Sequence, residues 1–406
     1  VQIFKCVDGD RKPDLFAFLP FEMQADLLDD LPELVVTSIL NEMEPVDRTQ
    51  FLEDLNFVIR DRLMRKMTPE ERSIALQLLA YPEDSIGRLM SPEFLSLKPE
   101  MYGHQALEHI RWFADYSEIA IHNMFVMDDN SKYLGDISLS SIVMSPGQKI
   151  SEMMSPVLKG LNPHDDKEAA VDHFRKYEQT FGPVVDESGV VIGIVTADDV
   201  LDVAEEEATE DIQQFGATGV YEDSYFGTTL LELFRKRGSW LALLFVGELF
   251  AVAAMQRYEQ VIATVGFLIY FVPLIISSGG NSGTQAASLI IRGLAVKEMT
   301  PGDWLRVFRR EIVMGFTLGF VLASFGAICS YVWGQPVHIT LVVFISLISV
   351  VTFGATVGSM LPFILDKCGF DPAVSSSPFI ACIVDFAGIV IYFGVATYVL
   401  TSVGIL

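Results

Sequence analysis

The sequence predicts a multidomain membrane protein: an α-helical N-terminal solenoid, an α/β tandem repeat, a connecting helix and an all-α domain of five membrane spans. Three observations predict it. Half of the 406 residues are hydrophobic, yet the charge is crowded into one end. After residue 225 ten Lys/Arg stand against nine Asp/Glu, net +1, whereas the residues before it carry a net −26. Such a split requires at least two domains. The apolar end divides into stretches of roughly the 20 residues that cross a hydrocarbon core, and the acidic end contains an internal repeat.

Residues 1–84 read as a helical N domain. The chain opens on Val1 rather than Met, and no signal-peptide pattern is seen. Pro20, Pro32, Pro45 and Pro69 each precede or open an apolar-periodic run. Proline suits a first helical turn, and the spacing predicts a short helical solenoid. The four cysteines, Cys6, Cys329, Cys368 and Cys382, have no metal-ligand spacing and predict neither disulfide nor zinc.

Residues 85–148 and 149–205 read as two copies of one unit. GRLMSPEFLSL matches ISEMMSPVLKG, each followed by an amphipathic helix. FVMDDNSKYLGDISLSSIV then matches PVVDESGVVIGIVTADDV, with Gly135 and Gly193 at equivalent places. Each copy predicts a helix, a two-stranded hairpin and a second helix, the pattern of a tandem CBS-domain pair. CBS pairs are regulatory modules that often bind adenine nucleotides, and Thr196 with Asp199 resembles the ribose-contacting pattern. The competing reading is that Thr196 caps the helix that follows.

That helix begins ADDVLDVAEEEATED. Asp199, Asp202, Glu206 and Glu210 fall on one stripe, where like charges repel by a few tenths of a kcal/mol per pair, about the size of a favourable pair. Without cations the helix opposes itself. It is expected to run on as a connecting helix over 206–237. A solvated linker is one reading; a cation-sensing hinge is the other. The acidity of this half disfavours nucleic acid and anionic lipid head groups as its partners and favours cations.

Residues 238–406 read as five spans, near 239–255, 261–291 with a polar interruption, 312–333, 339–365 and 373–406. Arg235, Lys236, Arg237, Arg292, Lys297, Arg306, Arg309, Arg310 and Lys367 fall on the side of the acidic half, and Arg257 alone on the other. The positive-inside rule makes the acidic half cytoplasmic and places the C-terminus outside. PLIISSGGNSGTQAASLIIR predicts a helix break at its glycines, with Pro273, Pro362 and Pro378 adding others. Broken backbone is tolerated in a bilayer only where protein or water satisfies it. Small-residue helix packing explains Gly279, Gly280 and Gly283, but not Asn281 and Gln285. Asp385 lies within the last span with no Lys or Arg beside it, which predicts a cation path. Oxygen ligands without a His or Cys cluster suit hydrated Mg²⁺ better than zinc or copper. Glu248 reads as a structural group bonded to a neighbouring helix. Glu311 stands either in a site or at the membrane surface beside Arg309 and Arg310.

This order of parts resembles the MgtE family of magnesium channels and transporters. PLIISSGGNSGTQAASLIIRGLA, DWLRVFRREIVMGFTLG and DPAVSSSPFIACIVDFAGIVIYF carry the resemblance, with YPEDSIGRLMSPEF and EEEATEDI beside them. It implies a non-enzymatic homodimer in the plasma (inner) membrane, maintaining magnesium homeostasis. Mg²⁺ passes a pore at Asp385 and Asn281, shaped by Gly279, Gly280, Gly283, Gln285, Pro273, Pro378 and Ala381. Cytoplasmic Mg²⁺ closes it at Asp166, Glu168, Glu178, Asp199, Asp202, Glu207, Glu210, Glu311 and Asp47, through the connecting, or plug, helix. ATP or another adenine nucleotide is an implied ligand of the CBS pair, at Thr196 and Asp199. Ala381, Cys382 and Val384 depart from the hydroxyl residues common before the pore carboxylate, and Arg175 is a basic residue among the sensor positions. A coupled carrier exchanging with Na⁺ or H⁺, and a membrane-tethered sensor that transports nothing, are the alternatives.

Overall fold

The structure is a computed structural model describing residues 4, 6–114, 123–156, 159–221 and 227–406. It divides into two compact units, Val1–Glu207 and Ala208–Leu406.

The first unit opens with short helices: α1 Lys12–Ala17, α2 Phe21–Asp30, α3 Glu33–Glu42, α4 Pro45–Asp54, α5 Phe57–Met64 and α6 Pro69–Leu78. Pro20 and Pro32 are the N-caps of α2 and α3, and Pro45 and Pro69 occupy the first turns of α4 and α6. The N–H that proline lacks is one that no helix could satisfy there. Phe16, Ile39, Leu40, Phe51 and Leu52 form the core. Arg48 is buried among them. Its guanidinium donates to the Leu40 and Met43 carbonyls at 3.2 and 3.3 Å and pairs with Glu71 at 2.5 Å, the partners that a buried charge requires.

The tandem repeat follows: α7 Ile86–Leu89, β1 Ser96–Leu97, α8 Gly103–Ala114, β2 Asn123–Met127, β3 Tyr133–Ser138, α9 Leu139–Met144, α10 Ile150–Met153, β4 Ser155–Pro156, α11 Glu168–Tyr177, β5 Phe181–Val185, β6 Val191–Thr196 and α12 Ala197–Phe215. The hairpins β2–β3 and β5–β6 are both antiparallel, with their register shifts at matching places, Val126/Met127 and Val184/Val185. Each Met-Ser-Pro segment crosses to the other copy's hairpin. β4 pairs with β3 through Gly135 and Pro156, while Ser91 bridges Ile194 of β6. Both crossings need glycine. A Cβ at Gly135 would sit 2.1 Å from the Ser155 carbonyl oxygen, and one at Gly193 2.8 Å from that of Ser91.

The connecting helix departs from expectation. It is not one helix over 206–237. α12 starts at Ala197 and stops at Phe215, where Ala217 turns left-handed (φ 53°) and Thr218 N–H reaches the Gln213 carbonyl at 3.1 Å. The next helix, α13, begins only at Leu230. Gln213 Oε1 accepts from Tyr221 N–H at 2.7 Å, and Lys236 Nζ donates to the Val220 carbonyl, which ties the 216–221 segment to both helices. Residues 222–226 of the expected helix lie outside the described residues.

The second unit is helical: α13 Leu230–Arg257, α14 Glu259–Thr264, a 3₁₀ turn Gly266–Phe271, α15 Val272–Ala295, α16 Trp304–Val332, α17 Val337–Lys367 and α18 Ser377–Ser402. Among the described residues four helical stretches are long and apolar enough to cross a membrane: Leu230–Arg257, Pro301–Val332, Val337–Lys367 and Ser377–Ser402.

The expected break at GGNSG is absent: α15 runs unbroken through Gly279, Gly280 and Gly283. The glycines let α15 touch α17. A Cβ on Gly354 would lie 2.2 Å from the Gly279 oxygen, and one on Gly358 2.0 Å from the Gly283 oxygen. This is small-residue packing, backbone against backbone. The irregular backbone lies earlier, at Gly266–Phe271, where the Tyr392 hydroxyl donates to the Leu268 carbonyl at 2.8 Å. Pro273 and Pro378 do not break helices either; they stand in the first turns of α15 and α18. Pro362 lies inside α17, which continues to Lys367.

Candidate cation sites

In the second unit the site is built on α18 and its contacts. Cys382 packs on Gly247 of α13 so closely that a Cβ there would lie 2.3 Å from the sulfur. One turn along, Asp385 and Glu248 come within side-chain hydrogen-bond reach. Glu248 therefore faces a neighbouring helix, and the group it meets there is the other intramembrane carboxylate. On another side of α18, Ala381 meets Gly280 of α15, at 3.9 Å from a Cβ built there, and Val384 meets Gly279. Asn281 follows Gly280, is exposed, and its amide lies 3.5 Å from the Ser277 hydroxyl. Asn281 and Asp385 each follow a residue of this α15–α18 seam, Gly280 and Val384, in sequence. Gln285 and Glu311 are brought together elsewhere, in a groove of about 790 Å³ between α15 and α16. Ser282 lines the same groove, buried, with no hydrogen-bond partner for its hydroxyl.

In the first unit the carboxylates sort into three groups. Asp47, in the first turn of α4, faces the start of α12. Burial raises its pKa, and so do Asp202, Asp14 and Asp198. Asp199 is pushed up to about 7, chiefly by burial, with Asp198 and Glu44 adding to it. The Thr196 hydroxyl and N–H both donate to Asp199 Oδ2, which opposes that rise. Asp202 is raised by desolvation first, then by Glu206, Asp198 and Glu205. These acids press on each other with no basic residue paired to them among the described residues.

The second group is neutralised. Lys167 Nζ lies 3.2 Å from Glu206, 3.4 Å from Asp84 and 3.9 Å from Glu207. Lys167 was invisible in sequence because two expected ligands, Asp166 and Glu168, flank it. Asp166 itself accepts the Glu168 N–H at 2.9 Å, a capping role at the start of α11. The third group is scattered. Glu178 is the left-handed C-cap of α11, a helix of 10 residues, so roughly 15 Å separates it from Asp166 and Glu168. Glu210, further along α12 and already in the second unit, accepts from Gln214 at 2.6 Å. Sequence reasoning missed Glu44 and Asp198, which α4 and α12 bring to Asp47; only the fold pairs these helices.

Three family profiles match: "Divalent cation transporter" over residues 272–395, "MgtE intracellular N domain" over 1–84 and "CBS domain" over 150–206. The magnesium transporter MgtE of Thermus thermophilus is 37% identical over 344 residues, 84% of this chain and 76% of that protein. Its namesake in Bacillus subtilis is 29% identical over 385 residues, 95% of this chain and 85% of that one. A solved cytosolic domain of the Mg²⁺ channel MgtE in complex with ATP aligns at a TM-score of 0.48 and 29% identity, covering 50% of this chain and 83% of that one. The chain belongs to the MgtE family, whose members are transporters and not enzymes.

Proposed function

We propose that the chain carries Mg²⁺ across the membrane past Asp385, and that Mg²⁺ on the acidic face of α12 closes the path. The observation that carries the first part is Asp385 itself: a carboxylate in a membrane helix, matched with a second carboxylate rather than with a Lys or Arg. Intramembrane acids without a counter-charge mark ion pathways. Mg²⁺ sheds its waters reluctantly, so one carboxylate with amide and backbone oxygens suits a largely hydrated ion. Asn281, across the α15–α18 seam, is the proposed amide. Gly279, Gly280, Gly283 and Ala381 act by letting the helices approach. Gln285 and Glu311 line the arginine-bearing end of the path.

The reading takes α15 as a fifth span. Its 24 residues reach roughly 36 Å, enough for a core of about 30 Å. Only with α15 counted do Arg235–Arg237, Arg292, Arg306–Arg310 and Lys367 share one side, leaving Arg257 opposite. That side is the cytoplasm of a cell whose inner membrane holds the protein as a homodimer, with the C-terminus outside. In the acidic unit we assign the sensor to Asp47, Asp199 and Asp202, with Asp166, Glu168, Glu178, Glu207 and Glu210 in lesser parts. α12 is the proposed plug. An adenine nucleotide would enter at Thr196 and Asp199; their mutual hydrogen bond favours the capping role over that one.

Asp385→Ala is expected to abolish Mg²⁺ uptake, below about a hundredth of wild type, while the protein still assembles. Normal uptake in that variant refutes the pore assignment. Electrical recording with Na⁺ and pH varied separates channel from carrier: currents independent of both support the channel, and strict coupling to either makes it a carrier.

A further inference from the structure

The arginine-bearing end of α16 carries a second groove beside the one that holds Gln285 and Glu311, and Arg306 and Arg310 border both. Arg306, Arg309 and Arg310 line an open groove of about 850 Å³ together with Leu305, Val313 and Met314. The spacing 306, 309, 310, 313, 314 is one continuous stripe of a helix. Its first turn is cationic and its next is apolar, with Val313 67% and Met314 49% exposed. Among the described residues none of the three guanidinium groups forms a salt bridge, although Asp303 feels the charge of Arg306 and Glu311 that of Arg310. Asp303, the carboxylate in this groove, is spent on a cap: Thr300 donates to it from N–H and hydroxyl at 3.0 and 2.8 Å. Trp304, half exposed, sits beside the arginines where an interfacial ring is favoured.

We infer that this stripe is a binding site for one anionic phospholipid, its phosphate on Arg306, Arg309 and Arg310 and an acyl chain along Val313 and Met314. Charge complementarity names the occupant. Three cations against one engaged carboxylate select a headgroup of net negative charge over a zwitterion, and guanidinium groups hold phosphate in paired hydrogen bonds. The apolar turn continues in the direction a lipid tail would take from that phosphate. Basic pockets beside membrane helices recognise acidic lipids in this manner. The site belongs to the near-neutral half, so the acidity of the other unit does not oppose it.

The test uses the full-length protein in detergent, titrated with phosphatidylglycerol or phosphatidylcholine and read by native mass spectrometry. At about fivefold per net basic charge, and with a net of two in the groove, phosphatidylglycerol is expected to bind about thirtyfold more tightly. Arg306→Gln/Arg309→Gln/Arg310→Gln should erase that preference, and Arg309→Gln alone should reduce it should the triple variant fail to fold. An unchanged preference in these variants overturns the site. So does equal binding of both lipids by the wild type, competition by millimolar inorganic phosphate as strong as by lipid, or a groove masked by a second copy at every lipid concentration. Mg²⁺ uptake lost in Asp385→Ala leaves this result untouched, so the two readings fail separately.

Discussion

Along α12 the carboxylates divide after its second turn. Asp198, Asp199 and Asp202 look onto Asp47 and Glu44 with no cation among them, and burial and mutual repulsion hold Asp47, Asp199 and Asp202 above the usual carboxylate range. Glu206 and Glu207, a turn further on, share Lys167 with Asp84. The difference separates charges that the chain has already balanced from charges left for something else to balance. Asp385 and Glu248 repeat the unbalanced condition on a smaller scale in the other unit. Many acids on a half-exposed face can bind weakly and in number, as a sensor of millimolar ion should. Two acids inside a membrane helix pair make a site that works or does not.

The sharpest way to break this comparison is to neutralise one region and then the other. In the intact protein, rising Mg²⁺ is expected to protect the acidic unit from protease near the millimolar range. Asp47→Asn/Asp202→Asn should raise the Mg²⁺ needed for half protection by about tenfold, as loss of roughly one charge-assisted contact would do. Glu206→Gln should move it by less than about twofold, because its charge is already met by Lys167. Equal shifts in both variants would erase the distinction between balanced and unbalanced acids. No Mg²⁺-dependent protection in the wild type would remove the sensor altogether.

A second prediction uses pH. Burial pushes Asp199 up to about 7 in the folded chain, against 3.8 for an unperturbed Asp side chain. A carboxylate raised on folding favours the protonated fold, so its contribution is complete below about 3.8 and disappears as pH climbs to about 7. Asp47 and Asp202 are raised in the same direction and add to it. In Mg²⁺-free buffer the acidic unit should therefore melt at lower temperature as pH rises through this window. Mg²⁺ binds the ionised form, so its stabilising shift should be larger at pH 8 than at pH 5. A Mg²⁺ shift of equal size at both values would mean that the ion acts elsewhere.

How far the sequence could be read depended on whether a feature was local. The tandem hairpins were legible because strand alternation and an acid-Gly turn lie within one short segment, and the prolines marked helix starts for the same reason. The glycines of PLIISSGGNSGTQAASLIIR were ambiguous, because a break and a close packing look alike until Gly354 and Gly358 of α17 are set against them. The run ADDVLDVAEEEATED predicts one long connecting helix; the stop at Gly216–Ala217 is held by Gln213 and Gln214, whose role as terminating acceptors only the fold reveals. Asp385 stood out as an acid in an apolar span. Glu248 stood out equally, but nothing in the chain joins α13 to α18 at that depth, so the pair emerged only in three dimensions.

The smallest effect on stability belongs to Lys167, and it tests the comparison from the opposite side. Its amine bridges acids of α12 and the 79–85 turn at 3.2–3.9 Å, partly exposed to solvent. Such pairs contribute about 0–1 kcal/mol, so Lys167→Ala should lower the melting temperature of the Mg²⁺-free protein only slightly. It should also convert Glu206 and Glu207 from balanced to unbalanced acids, extending the repulsive stretch of α12 by a turn. Half protection from protease should then need about two- to threefold less Mg²⁺ than in wild type, while Lys167→Arg, which keeps the charge, should leave the requirement unchanged. If Lys167→Ala instead needs more Mg²⁺, the lysine organises the ion-binding face rather than competing with the ion for it. The division along α12 would then be one of geometry and not of charge.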